Sequence, residues 1–289
     1  MEISKICVVG AGQMGQQIAM LSALSGFQTT LQDINQASLE KAKAGLFSLM
    51  DKWVSKGKIS DTARKTAFER LVFLLDLSTA AADADFIIEA VIEKLEVKRD
   101  VFRQLDEIAP KHAIFASNSS TIVSSLLVSS TKRPDKVCNM HFFYPPLVME
   151  CIEVVINPET SEDTANTALF VCEQLNRTGL LLKKEISGFV ANRILGAIHR
   201  EAIELYEGGI ADFETIDLIC KKALAHPLGP FEIMDLSGLD VCYYVMEQQY
   251  AESGKLAEKP AACIKEKVAL AQLGRKTGKG FYDYDKRYD

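Results

Sequence analysis

The sequence predicts an α/β domain, a mostly parallel sheet covered by helices on both faces, followed by an all-helical domain. Two observations carry this expectation. Over residues 1 to about 182, short continuous apolar runs alternate with polar–apolar stretches of helical length, the pattern of parallel strands buried on both faces. After about residue 183 only helical patterns remain. The chain has 289 residues, and at roughly 100–200 residues per domain that suggests two. The boundary is expected near residues 183–187, giving domains of residues 1–183 and 184–289.

The first strand-like run, residues 6–9, ends on Gly10-Ala11-Gly12-Gln13-Met14-Gly15 and opens a helix. Gly10 permits a tight turn, Gly12 lets a pyrophosphate approach the backbone, and Gly15 allows close helix–strand packing. The N–H groups at the helix start, around Gln13 and Met14, then face the phosphates. A lone glycine motif of this kind is weak evidence, but here it stands in the required strand–turn–helix context. A second extended segment, residues 28–32, leads to Asp33, about 20 residues past the glycines, where a carboxylate accepts from ribose hydroxyls. That carboxylate repels a 2′-phosphate, so a Rossmann-type domain that takes NAD rather than NADP is expected. The alternative for Asp33 is a turn or helix-capping aspartate.

Helical patterns follow at residues 38–54 and 94–108, and further buried runs at 71–75, 86–88 and 113–116. Residues 137–143 and 150–156 form two more strands, joined outside the paired region by Pro145-Pro146, since proline cannot donate to a ladder. In the second domain, residues 189–206, 212–223, 231–250 (with Gly238 a possible break) and 260–272 read as helices, and a glycine-containing tail spans 274–289. The pattern over 189–206 is apolar on more than one face and needs cover on all of them. A homodimer formed through this domain is therefore expected.

Composition excludes several classes. The chain is 48% hydrophobic and 25% charged, with a formal net charge of −6, so nucleic acid and anionic membranes are not expected partners. No apolar run reaches the ~18 residues of a membrane span, and no basic segment followed by an apolar one reads as a secretory signal. Seven scattered cysteines, without a Cys-x-x-Cys pair, read as reduced thiols in a cytoplasm and not as a zinc site.

A hydride transfer from an alcohol needs a base that titrates near neutral pH. Of four histidines, His112 lies in a polar turn, His199 in a helix, and His226 before Pro227. His141 lies in a strand, and Glu153 follows on the next. An antiparallel return would bring them together, and the carboxylate would fix the imidazole's tautomer. On spacing alone, a strand histidine satisfied in the core remains the commoner outcome.

Several motifs in order make the chain similar to the 3-hydroxyacyl-CoA dehydrogenase family over essentially its whole length. They are Gly10–Gly15, Ser117-Asn118-Ser119-Ser120, His141-Phe142-Phe143, Gly188-Phe189-Val190-Ala191-Asn192-Arg193, His226-Pro227-Leu228-Gly229-Pro230 and Gly278-Lys279-Gly280-Phe281-Tyr282. The resemblance implies NAD-dependent interconversion of (S)-3-hydroxyacyl-CoA and 3-oxoacyl-CoA. It implies that His141 is the base, oriented by Glu153, that Ser120 bonds the substrate oxygen, and that Asn192 stabilises its carbonyl side. The active site would then lie in the cleft between the domains, where ligand sites are frequent. Read alone, Ser120 could equally cap a helix after its strand, and Asn192 is merely an unfavoured residue of a helix interior. Glu93, Lys98 and Lys276 match family cofactor contacts. Otherwise Glu93 and Lys98 read as charges on a solvated helix start.

Lys52 and Lys56, four residues apart on one helix face, match the region where the family holds CoA, Lys56 better than Lys52; a solvated lysine face is the alternative. Where the family pattern has His-Phe-Phe-Asn-Pro, this chain has Tyr144, which puts a local cofactor contact and the acyl pocket in question. The single-function length resembles the bacterial 3-hydroxybutyryl-CoA type, which implies acetoacetyl-CoA as substrate. Two rivals remain: a related dehydrogenase of a sugar acid or free hydroxy acid, and a non-catalytic, crystallin-like dinucleotide-binding protein.

Overall fold

A computed structural model describes residues 3–254, 256 and 259–284, with residues 252 and 253 described in backbone only. The chain forms two compact units, Met1–Phe189 and Val190–Asp289. In the first, β1 (Lys5–Val9), α1 (Gln13–Leu24) and β2 (Gln28–Gln32) lead into the helices α2 (Gln36–Ser55) and α3 (Asp61–Arg70). Then come β3 (Leu71–Leu74), α4 (Leu77–Ala81), β4 (Phe86–Glu89), α5 (Leu95–Ile108) and β5 (Ile114–Ser117). The unit closes with β6 (Val137–Phe142), β7 (Cys151–Ile156), α6 (Glu162–Gln174) and β8 (Thr178–Leu182).

The eight strands make one sheet in the order β3-β2-β1-β4-β5-β6-β7-β8. All neighbours are parallel except β6 and β7, which are antiparallel. Successive side chains of a strand point to opposite faces, and the core divides accordingly. Ile6, Val8, Phe86 and Ile88 belong to one apolar cluster, while Cys7, Val9 and Ile87 belong to another. Burial on both faces explains why these strands read as unbroken apolar runs.

Several predicted bounds change. The helix expected at 38–54 begins two residues earlier, where the Asn35 side chain accepts the Ser38 N–H. No helix follows β5 at Ser120. The chain instead makes a short 3-10 turn at Ser124–Leu126, flanked on its N-terminal side by Val123, so Ser120 is not a helix cap. All seven cysteines are free.

The second unit contains α7 (Ala191–Glu207), α8 (Phe213–Ala223), α9 (Pro230–Ser237), α10 (Leu239–Ser253) and α11 (Ala262–Ala269). The stretch expected as one helix over 231–250 is two, because Gly238 adopts φ +100 between them. The helix expected from residue 189 starts at Ala191, since Phe189 has φ +48, outside helical backbone. Asn192 is thus the second residue of a helix and not an interior one. Phe213, Phe231, Phe281 and Tyr206 pack edge-on in the core of this unit. Two buried carboxylates brace the segments that follow Gly229 and Gly280. Asp217 accepts the N–H groups of Phe231 and Glu232, and Asp235 accepts those of Phe281 and Tyr282. A Cβ on Gly280 would come within 2.0 Å of Asp235 Oδ1, so the motif tolerates only glycine there. Residues 285–289 of the expected tail lie outside the described residues. No helix among the described residues is long and apolar enough to cross a membrane.

Candidate active site

Strands β1, β4, β5 and β6 are parallel neighbours, so their C-terminal ends lie side by side. The strand order reverses at β1, with β2 on one side and β4 on the other. In open α/β sheets the ligand crevice opens at such a point.

The glycine turn stands there. Gly10 has φ +104, and a Cβ on it would lie 2.6 Å from the Ala90 carbonyl oxygen. On Gly15 it would lie 1.9 Å from the Gly10 carbonyl oxygen, so the turn and α1 touch through backbone alone. On Gly12 it would meet nothing within 4 Å. That open position, at the helix N-cap with no side chain bonded to its N–H groups, leaves room and donors for a pyrophosphate. Gln13 and Met14 are the first two residues of α1. Asp33 follows β2 directly and faces the same turn. Its Oδ2 accepts the Ala11 N–H at 2.8 Å and its Oδ1 the Asn35 N–H at 2.9 Å. These features fit a dinucleotide.

The loop after β4 carries a denser arrangement. Lys98, on the first turn of α5, is only 1% exposed and donates to Glu89 Oε1 at 2.7 Å, with Glu93 Oε2 at 3.2 Å. Lys98 is therefore not a charge on a solvated helix start. The Glu89 carboxylate, also 1% exposed, accepts in addition from Ser117 Oγ at 2.7 Å and from the Val91 N–H at 2.7 Å. Glu93 accepts from the Ser119 hydroxyl and from Thr121 Oγ1 at 2.9 Å. Burial alone would raise the Glu93 pKa. The Lys98 ammonium and the Ser119 and Thr121 hydroxyls outweigh it, and the carboxyl sits below its usual range.

His141 and Glu153 are register partners across β6 and β7. His141 Nδ1 lies 2.8 Å from Glu153 Oε2, and both residues are buried. A carboxylate at Nδ1 favours the Nδ1–H tautomer and leaves Nε2 to exchange a proton. The rings of Phe143 and Phe189 flank the imidazole, with centroids at 4.6 and 5.5 Å.

The Ser117–Ser120 motif divides its work. Ser117 holds Glu89 and Ser119 holds Glu93. Asn118 Oδ1 accepts the N–H of Phe142, the residue after the histidine, at 3.0 Å. Behind them the buried Asn139 accepts the Ser124 N–H at 2.8 Å and donates to the Ile122 carbonyl at 3.1 Å. Ser120, the last residue of the motif, is half-buried.

The remaining expected site residues are carried by other segments. Tyr144 is 58% exposed at the start of the β6–β7 connection. Lys52 is in the last turn of α2, but Lys56 caps that helix rather than extending its face, and both are exposed. Lys58 lies 5.4 Å over the Trp53 ring. In the second unit, Asn192 is half-buried in the first turn of α7, and Lys276 is ion-paired with Asp240 at 2.6 Å. Glu89, Asn139 and the flanking Phe189 were not legible as site residues. Among the described residues no group of three or more His, Cys, Asp or Glu is arranged to hold a metal ion.

The sequence profile of the 3-hydroxyacyl-CoA dehydrogenase NAD binding domain matches residues 5–186, and that of the same enzymes' C-terminal domain matches residues 188–284. A probable 3-hydroxybutyryl-CoA dehydrogenase of Bacillus subtilis is 36% identical over 99% of both chains. The crystal structure of (S)-3-hydroxybutyryl-CoA dehydrogenase from Ralstonia eutropha superposes with a TM-score of 0.90 at 35% identity, covering 99% of this chain and 100% of that one. A diketoreductase, described in work on dual catalysis of dicarbonyl compounds, has a TM-score of 0.90 at 35% identity over 98% of this chain and all of its own. Full-length agreement in both sequence and fold leaves one assignment: the chain belongs to the 3-hydroxyacyl-CoA dehydrogenase family, enzymes that use NAD.

Proposed function

We propose that the protein interconverts (S)-3-hydroxybutyryl-CoA, or another short-chain 3-hydroxyacyl-CoA, and the matching 3-oxoacyl-CoA, with His141 as the proton-exchanging group. The observation that carries the catalytic part is the buried His141–Glu153 pair at 2.8 Å. NAD, when bound, supplies the hydride acceptor. His141 Nε2 removes the hydroxyl proton as the alcohol is oxidised and returns it in reduction. Glu153 orients the ring and stabilises the imidazolium that forms. Ser120 donates to the substrate oxygen, and Asn192 serves its carbonyl side. Gly10, Gly12, Gln13, Met14, Gly15 and Asp33 receive the cofactor, with Glu93, Lys98, Tyr144 and Lys276 on its nicotinamide side. Lys56, and more weakly Lys52, meet the CoA phosphates. Short-chain preference rests on the names of the relatives.

We take residues 1–183 as the cofactor domain and 184–289 as the domain that completes the substrate site and forms a homodimer. The second unit exposes Ile194 on α7, Ile219 on α8, and Val241 and Tyr244 on α10, apolar residues that a dimer would cover. A sedimentation run showing only monomer at micromolar concentration would reject it. Seven free thiols suit a reducing compartment such as the cytoplasm.

The test is NADH absorbance with acetoacetyl-CoA, run in parallel with NADPH. Rapid loss of NADH that drops by roughly 10²–10⁴ in the His141→Gln variant supports the reading. The diketoreductase favours a second reading, a dicarbonyl substrate without CoA. Equal rates on acetoacetyl-CoA and on a simple diketone would select it.

A further inference from the structure

Glu89 is the last residue of β4 and pairs in register with Val9, the residue before Gly10. A dinucleotide whose pyrophosphate lies on the Gly10–Gly15 turn, and whose adenosine ribose reaches Asp33 on the β2 side, runs its other half the opposite way. That half crosses the end of β4 toward β5 and β6, where His141 stands. The backbone it would cross is residues 90–93, with Glu89 at the end of β4 before it, Glu93 within it and Lys98 in the first turn of α5 after it.

The three make a closed cluster. Lys98 touches both carboxylates, at 2.7 and 3.2 Å, and each takes further hydrogen bonds, Glu89 from Ser117 at the end of β5 and Glu93 from Ser119 and Thr121 in the loop after it. Two carboxylates against one ammonium leave a formal charge of −1. A buried ion pair is weak evidence for stability, because apolar replacements are often neutral or better. A merely structural pair also needs one carboxylate, not two. The second has a use where the cofactor carries a positive charge in one redox state. The oxidised nicotinamide ring is cationic, and the charge disappears when it accepts hydride. A fixed negative charge nearby stabilises the first state over the second.

We infer that Glu89 is a positioning residue that sets this charge. Through Lys98 and Glu93 it makes the nicotinamide side of the site net negative and favours NAD⁺ over NADH. By accepting from the Val91 N–H and from Ser117 Oγ it also ties the loop after β4 to the end of β5, from which the loop carrying Ser120 leaves. This rests on the reading of the Gly10–Asp33 region as the cofactor site.

The experiment measures Kd for NAD⁺ and for NADH separately, without substrate, in the wild type and in Glu89→Gln, Glu93→Gln and Asp33→Ser. Removing one carboxylate charge from the cluster is expected to raise the ratio Kd(NAD⁺)/Kd(NADH) by about threefold to tenfold. Thermal melting reports whether each variant is folded. Glu93 is 39% exposed at its side chain, so Glu93→Gln cancels the same charge with less risk to the core. An unchanged ratio in folded Glu89→Gln overturns the inference, and an unchanged ratio in Glu93→Gln does so if Glu89→Gln does not fold. Asp33→Ser separates the two readings. Weaker binding of both forms by Asp33→Ser, with an unmoved ratio in Glu89→Gln, removes only the role of Glu89. No effect of Asp33→Ser on either affinity removes the cofactor placement itself, and the inference with it.

Discussion

The side-chain oxygen of Asn118 accepts the backbone N–H of Phe142 at 3.0 Å, tying the serine loop after β5 to the residue that follows His141. Ser120 lies two residues beyond Asn118, so this hydrogen bond links the loop of the proposed substrate-oxygen donor to the strand of the proposed base. Asn118→Ala is expected to lower kcat by about tenfold to a hundredfold, the cost of a small misplacement at the reacting centre. The KM for NADH should stay near the wild-type value. Asn118→Asp keeps an acceptor and should restore most of the rate. Equal losses in both variants would assign Asn118 to folding alone.

Glu153→Gln tests the carboxylate behind the base. Gln at this position supports the imidazolium less and does not enforce the Nδ1–H tautomer, so kcat is expected to fall by roughly 10²-fold or more. The KM for NADH should stay near the wild-type value. An unchanged kcat in the folded variant would mean that Glu153 only braces the strands.

Asp33→Ser removes the negative charge proposed to face the adenosine ribose. The ratio of kcat/KM for NADPH to that for NADH should rise by about tenfold. Steady-state kinetics with both cofactors decide it, and an unchanged ratio counts against the ribose-binding role.

Lys56→Glu places a negative charge at the end of α2. The KM for acetoacetyl-CoA is expected to increase by about threefold to tenfold, with a smaller effect at high salt, and NADH affinity should not change. Equal damage to both would indicate a general defect.

His199 gives a stability prediction. It is buried in α7, its Nε2 has no hydrogen-bond partner, and burial pushes its pKa down from 6.5 to about 4. Between those values the unfolded chain binds a proton and the folded one does not. The stabilisation is therefore full above pH 6.5 and is lost progressively as the pH falls toward 4, by up to about 3 kcal/mol. His199→Leu should flatten the fall in melting temperature over this window. An equally steep fall in the variant would place the acid sensitivity elsewhere.

The fold was legible because burial writes itself into periodicity. Buried parallel strands read as apolar runs, and the polar turn at Pro145-Pro146 announced the reversal that joins His141 to Glu153. The glycine turn was legible for the same kind of reason, since its backbone conformation and contacts exclude other residues. Helix α3 escaped notice because its sequence, Asp61–Arg70, buries only Ala67 and so carries almost no amphipathic signal. Glu89 escaped because it ends an apolar strand and meets Lys98 only after the chain has turned through a loop. Phe189 was read as helical from its neighbours, although its backbone is left-handed. Polar clusters assembled from three loops have no period, and their spacing in the chain does not report their spacing in space.

The antiparallel β6–β7 pair sets a limit on how this protein can change over generations. Side chains alternate across a strand, so a single-residue insertion or deletion inside residues 137–142 or 151–156 sends either His141 or Glu153 to the opposite face of the sheet. Substitutions along these strands can accumulate one at a time, whereas changes of length cannot. Descendants that keep the His–Glu pair should differ in length only in the connection between the strands, residues 143–150, and in loops farther away.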